Sequence, residues 1–168
     1  MNRRHMLTAW AALAAALPFA ARAQQSAMMA DGTMDPAKAP AILNGNFAKA
    51  TSQLAVQKAS NEAVRTFATL EAAEQTATAM AFGVPADAPL AIPGDKAPML
   101  EQLQAAEGAA FDALYIDGQI MGHQELRAIH EAYAANGSDP MARGASIVGV
   151  TSIDTHLVML NSIRATLG

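Results

Sequence analysis

From Ala41 onward, apolar residues recur three and four positions apart instead of alternating, the period of a helix with one buried face. Leu43, Phe47, Ala50 and Leu54 predict a first helix over about 41–60. Asn61, whose side-chain oxygen suits the free N–H groups of a first turn, is read as the N-cap of a second helix over 62–82. Its stripe is Val64, Phe67, Thr78 and Phe82, and Gly83 supplies the stop. Residues 84–98 hold Pro85, Pro89, Pro93, Pro98 and Gly94, and read as an irregular crossover. A short helix over 99–106 precedes a long one over about 107–135, closed by Asn136-Gly137. Asp139 as N-cap and Pro140 in the first turn open a last helix running to about Leu167, in which Gly144 and Gly149 weaken the first turns or admit a close neighbour.

No segment alternates as a strand does, so the expected class is all-α. Four amphipathic helices bury their stripes only against one another, which predicts a four-helix bundle of two antiparallel hairpins joined by the Pro-rich crossover.

Several polar residues interrupt the stripes. On the third long helix Tyr115, Gln119, Gly122, Leu126, Ile129 and Tyr133 share a face, with Asp112, Gln119, His123 and His130 along its edge. On the fourth, His156 takes a core slot between Ile153 and Leu160. On the second, Glu71 and Gln75 fall between Phe67 and Thr78, with Glu74 at the border. Unpaired polar groups in a core are costly, so Glu71, Glu74, Gln75, Gln119, His123 and His156 are expected to satisfy one another or a bound ligand. In one account His123 and His156 coordinate a divalent metal, with Glu71 or Glu74 as oxygen ligand. In the other they form a hydrogen-bonded network that fixes helix register, Gln75 and Gln119 being its amide members, and no cofactor is needed. His130, nearer the helix end, is expected to be satisfied locally or half-exposed.

Other chemistries are excluded. A di-iron carboxylate centre needs Glu-x-x-His on two helices, but Ile120 and Ile153 stand three residues before His123 and His156. The first helix has no acidic residue between Ala41 and Ser60. Ser152, Asp154 and His156 lie on one helix and cannot adopt nucleophile–base–acid triad geometry. With no cysteine there is no thiolate site and no disulfide.

The chain's beginning reads as an address. Arg3 and Arg4 precede an uncharged run from Met6 to Ala21, and Ala21-Arg22-Ala23 has the small–x–small form of a signal-peptidase site. Residues 1–23 are therefore expected to be a cleaved secretory signal, which leaves no transmembrane segment. Residues 24–40 read as a flexible polar lead-in and 41–168 as one domain, exported to the periplasm or cell envelope. Losing Arg3, Arg4 and Arg22 from 11 basic residues leaves 8 against 15 acidic ones, a net charge of −7. Trp10, the only tryptophan, leaves too. So acidic a chain with so few aromatics is unsuited to nucleic acid, and its partner is expected to be an envelope protein or a small ligand. The half-apolar 84–100 segment (Val84, Leu90, Ile92, Met99, Leu100) is a candidate contact surface.

Ser52-Gln53-Leu54-Ala55, Val64-Arg65-Thr66-Phe67-Ala68, the run Tyr115…Gln119…His123 and His156-Leu157 together resemble a bacterial exported family known as a domain of unknown function, number four-one-four-two, whose members are often labelled outer-membrane proteins. The resemblance spans about residues 44–163 and implies a ferritin-like four-helix bundle. The family's commoner second-helix pattern is Asp-His, where this chain has Glu74-Gln75. Glutamine is a poor metal ligand and a good network member, so this departure favours the hydrogen-bonded account. The reading that leads is a non-catalytic envelope protein acting by binding or protein contacts; the alternative is a metal-binding or metal-buffering protein.

Overall fold

The computed structural model describes residues 35–168; the expected signal peptide and residues 24–34 of the lead-in lie outside them. Five α-helices follow in order: α1 (Ala39–Lys58), α2 (Glu62–Ala81), α3 (Ala97–Ala105), α4 (Gly108–Asn136) and α5 (Pro140–Thr166). One 3-10 turn, Gly94–Lys96, precedes α3. Among the described residues there is no strand, and no helix is long and apolar enough to cross a membrane. The class is all-α.

The helix starts follow local chemistry. Asn61 accepts from the N–H groups of Ala63 and Val64, and Asp139 from those of Met141 and Ala142. Gly83, at φ +90°, takes the left-handed position that ends α2. Helix α1 begins at Ala39, inside the expected lead-in, because Pro40 in a first turn has no N–H to leave unpaired.

The four long helices pack pairwise, α1 on α2, α4 on α5, α1 on α4 and α2 on α5. Lys38 marks one end: its Nζ pairs with Asp139 Oδ2 at 2.6 Å and donates to the carbonyl of Phe82 at 3.2 Å, joining the start of α1 to the end of α2 and the start of α5. At the other end Lys58 reaches Glu107 at 2.9 Å, and the buried Asp112 of α4 accepts from the backbone N–H groups of Ser60 and Asn61 at 3.1 and 2.9 Å. Helices α1 and α5 therefore run one way and α2 and α4 the other. The crossover returns the chain from the end of α2 to the start of α4. Its apolar residues (Val84, Leu90, Ile92, Met99 and Leu100) are all half-buried, Val84 and Met99 packing on the core, so this segment does not form the exposed patch expected of it.

The face α1 buries also differs from expectation. Ile42, Asn46 and Phe47 are buried, but Leu43, Ala50 and Leu54 are only half-buried, and the rest of the inner face is small: Ala41, Gly45, Ala48, Thr51, Ser52 and Ala55. Small side chains let α1 approach its neighbours closely. They carry little apolar signal, so hydrophobic spacing pointed to the bulkier residues beside them.

The core forms separate apolar clusters. One gathers Phe67, Phe111, Tyr115, Ile116 and Leu160, and another Ala48, Leu126 and Ile153. Between them in chain position lie polar residues on three of the long helices, Thr51 and Ser52 on α1, Gln119 and His123 on α4, and His156 on α5, and α2 adds Glu71 one turn after Phe67.

Near the Lys38 end, His130 is buried, with Nδ1 3.1 Å from Ser146 Oγ and its ring edge-on to Phe82. Of the two roles foreseen for it, this is the satisfied one. Burial lowers its pKa from 6.5, so the unfolded chain binds a proton that the folded chain refuses. The contribution of His130 to stability is therefore expected to fall as pH drops through 6.5, by at most about 1.4 kcal/mol per pH unit. Urea unfolding at pH 7.5 and 5.5 checks this. His130→Gln should flatten the difference, and an equal loss in variant and wild type would refute the assignment.

Candidate metal centre

Three helices each send one donor to a common point. Glu71 of α2 and His123 of α4 are wholly buried, and His156 of α5 is half-buried. Glu71 Oε2 lies 3.4 Å from His123 Nε2 and 3.2 Å from His156 Nδ1, and the two nitrogens are 3.2 Å apart. Among the described residues this is the one group of three His or acidic side chains with converging donor atoms.

The hydrogen-bonded surroundings decide what those atoms present. His123 Nδ1 sits 2.8 Å from the carbonyl oxygen of Gln119, one turn earlier on α4. A carbonyl only accepts, so the neutral ring carries its proton on Nδ1 and turns the Nε2 lone pair to the centre. Glu71 Oε1 accepts from Gln75 Nε2 at 3.0 Å, whereas the inward Oε2 is buried with no hydrogen bond of good geometry. Gln75 itself fits because α1 has no side chain opposite: a Cβ on Gly45 would stand 2.7 Å from Gln75 Oε1. Burial works to raise the Glu71 carboxyl, but the two imidazoles lower it more, to about 2. His156 is raised, first by its contact with Glu71. An ionised carboxylate and a nitrogen lone pair thus face a third donor atom at a point that calls for a cation, either a proton or a metal.

Glu74 lies outside this point. Its Oε2 is 3.4 Å from the other nitrogen of His156, Nε2, and its Oε1 accepts from Ser152 Oγ at 2.7 Å. Of the two carboxylates considered as ligand, Glu71 faces the centre and Glu74 backs one of the imidazoles. Gln119 turns its amide toward α1, donating to Thr51 Oγ1 at 2.9 Å and more weakly to Ser52 Oγ at 3.4 Å; Ser52 in turn meets the buried Tyr115 hydroxyl at 2.8 Å. Phe67, one turn before Glu71, packs against both imidazoles at centroid distances of 5.9 and 5.4 Å.

Three participants, Thr51, Ser52 and Ser152, carry no signal of their role in the sequence. Thr51 and Ser52 were invisible as site residues because a helical hydroxyl is ordinary until a neighbouring helix presents an amide to it. Ser152 was seen only as a failed nucleophile, and its true partner lies on another helix.

No curated protein and no solved structure matches the chain. A model of the family described as a domain of unknown function (DUF4142) matches residues 18–163, a span that includes Glu71, His123 and His156, and the chain belongs to that family.

Proposed function

We propose that this chain is an exported, ferritin-like four-helix-bundle protein that holds one divalent transition-metal ion between Glu71, His123 and His156. The observation that carries this reading is the spacing of the donors, 3.2, 3.2 and 3.4 Å. Ligands about 2.0–2.1 Å from a tetrahedral ion stand about 3.3–3.4 Å apart, so the three atoms match one face of such a shell. Two nitrogens and a carboxylate oxygen suit Zn²⁺ or a neighbouring first-row ion, whereas Ca²⁺ and Mg²⁺ prefer all-oxygen sites. Both imidazoles have outward partners, the Gln119 carbonyl and the Glu74 carboxylate, of the kinds that orient metal-bound histidines. Gln75 supports Glu71 in place of ligating, so its presence where the family more often has histidine is compatible with a metal held one turn earlier.

The bundle assignment is supported by the helix directions and by the long crossover between α2 and α4. Export is supported by the pattern of residues 1–23. The burial of Glu71 and His123, with Phe67 packed against both imidazoles, suits storage or transfer of the ion over turnover.

Elemental analysis of residues 24–168, purified from the periplasm without a metal-binding tag, tests the reading, with Co²⁺ titration of the metal-free protein beside it. Close to one ion per chain and a visible tetrahedral Co²⁺ spectrum are expected, both lost in the His123→Ala, His156→Ala double variant. A folded wild type that takes up neither Zn²⁺ nor Co²⁺ would leave the residues as a hydrogen-bonded network.

A second reading concerns protein contacts. Among the described residues, six of the eight large exposed apolar side chains lie on α2 and α5, Leu70, Val148 and Val158 being 55%, 69% and 72% exposed. The outward positions Ala63, Thr66, Leu70, Ala73, Ala77 and Met80 of α2 follow one another at three- and four-residue steps without a charge. So do Met141, Gly144, Val148, Thr151, Thr155 and Val158 of α5. Two adjacent helices of 20 and 27 residues offer a footprint on the order of 600 Å², near the ~800 Å² per partner of a stable interface. An uncharged face is also where two acidic chains meet with least repulsion, so the occupant assigned to it is a second copy. Light scattering should give a dimer for the wild type and a monomer for Leu70→Glu, Val148→Glu; a monomeric wild type refutes it.

A further inference from the structure

We propose that Glu74, held by Ser152, is the positioning residue that makes Nδ1 of His156 the metal-binding atom, and that it marks the side from which the ion exchanges; this rests on the metal-binding reading above. The two histidines are set in different ways. His123 is oriented by a backbone carbonyl of its own helix, a partner that no side-chain change removes. His156 has no such partner. It uses Nδ1 inward, 3.2 Å from Glu71 Oε2, and for that nitrogen to offer a lone pair the ring proton must sit on Nε2. The carboxylate facing Nε2 is Glu74 Oε2, at 3.4 Å, and its negative charge favours the proton on that nitrogen.

Glu74 is in turn fixed from the helix that carries the histidine. Ser152, one turn before His156 on α5, donates to Glu74 Oε1 at 2.7 Å. Serine, glutamate and histidine thus form a chain across the α2–α5 seam in which the hydroxyl donates to the carboxylate and the carboxylate faces the imidazole. The serine is an anchor, not a nucleophile. It pins a rotatable glutamate at the one place where the imidazole has no backbone support.

The same geometry distinguishes two sides of the centre. The Glu71 side chain is 0% exposed and the His123 side chain 1%, whereas those of His156 and Glu74 are 12% and 36% exposed. An ion that leaves by the solvent-facing side breaks its bond to His156 first and passes the Glu74 carboxylate. Loss of Glu74 is expected both to weaken binding and to speed release.

The test compares wild type, Glu74→Ala, Glu74→Gln and Ser152→Ala, each loaded with Co²⁺ and then challenged with a chelator. Glu74→Ala should bind Co²⁺ about 10–100-fold more weakly, the range for lost outer partners of metal-bound histidines, and release it faster. Its Co²⁺ spectrum should stay tetrahedral, because all three ligands remain. Glu74→Gln keeps an acceptor for Nε2–H and should recover part of the affinity. Ser152→Ala should change affinity in the same direction by less, and it guards against a Glu74 variant that does not fold. A purely structural role would lower the melting temperature of the metal-free protein while leaving affinity and release rate alone, and that result overturns the proposal. If the wild type binds no Co²⁺, the metal reading itself has failed and this inference with it; binding that Glu74→Ala leaves unchanged sinks only the inference.

Discussion

Zn²⁺ at a thousandfold excess over its Kd is expected to stabilise the wild-type chain by about 4 kcal/mol, because an ion that binds only the folded state adds its binding free energy to folding. For a domain of this size that raises the melting temperature by on the order of 10–15 °C. In the metal-free protein the ionised Glu71 carboxylate and two imidazoles occupy a buried point with one carboxylate oxygen poorly satisfied. Replacing all three by leucine removes both the charge and the need for it. Buried ionic groups exchanged for apolar residues often leave stability unchanged or improved. The Glu71→Leu, His123→Leu, His156→Leu variant should therefore melt at or above the metal-free wild type and show no response to Zn²⁺. Differential scanning calorimetry with and without Zn²⁺ reads both quantities. Identical traces for the wild type in Zn²⁺ and in chelator would contradict the metal reading, and a triple variant that collapses would mark the three polar residues as structural.

Asp112→Ala is expected to cost about 3 kcal/mol, the scale for removing one partner from a buried, charge-assisted set of hydrogen bonds. Asp112 is 1% exposed, and besides the backbone N–H groups of Ser60 and Asn61 its carboxylate accepts from the Ser60 hydroxyl. These are the donors of the turn that reverses the chain between α1 and α2, and α4 supplies their acceptor. Asn61 in turn caps α2, accepting from the N–H of Ala63 at 2.8 Å. Without the carboxylate, those N–H groups stay in a partly buried turn unpaired. Asp112→Asn keeps one acceptor oxygen and should fall between the two. Urea unfolding gives the numbers, and an alanine variant within about 0.5 kcal/mol of wild type, the spread of an ordinary surface substitution, would contradict this account.

The helices were legible because their signals are local. Asn61, Asp139-Pro140 and Gly83 act within one turn, and each does so where the spacing placed it. The family resemblance rested on short runs in the right helices, over about residues 44–163, and the family match contains that span and begins earlier, at residue 18. The inner face of α1 was not legible: Gly45, Ala48, Ser52 and Ala55 are buried by close approach, which depends on what the neighbouring helices present. The apolar crossover residues were taken for a surface for the same reason. Whether a half-apolar loop packs or protrudes depends on the body it crosses.

The site divides along the same line. Sequence alone determined that Glu71, Gln75, Gln119, His123 and His156 interrupt buried faces, since helical period and residue type settle which side of its own helix each occupies. It left Glu71 and Glu74 as equal candidates, and it found no use for Ser152 beyond a triad that one helix cannot make. The tertiary structure decided between the carboxylates: packing α2 against α5 turns Glu71 inward to both imidazoles and leaves Glu74 behind His156, bound to Ser152. Three donors from three helices converge to within 3.4 Å only through the rotation and axial shift of one helix against another. Those quantities are set by how the helices pack around the site, for example by Gly45 on α1, which admits Gln75, and by Phe67, which packs against both rings. Periodicity along a single chain carries no information about either.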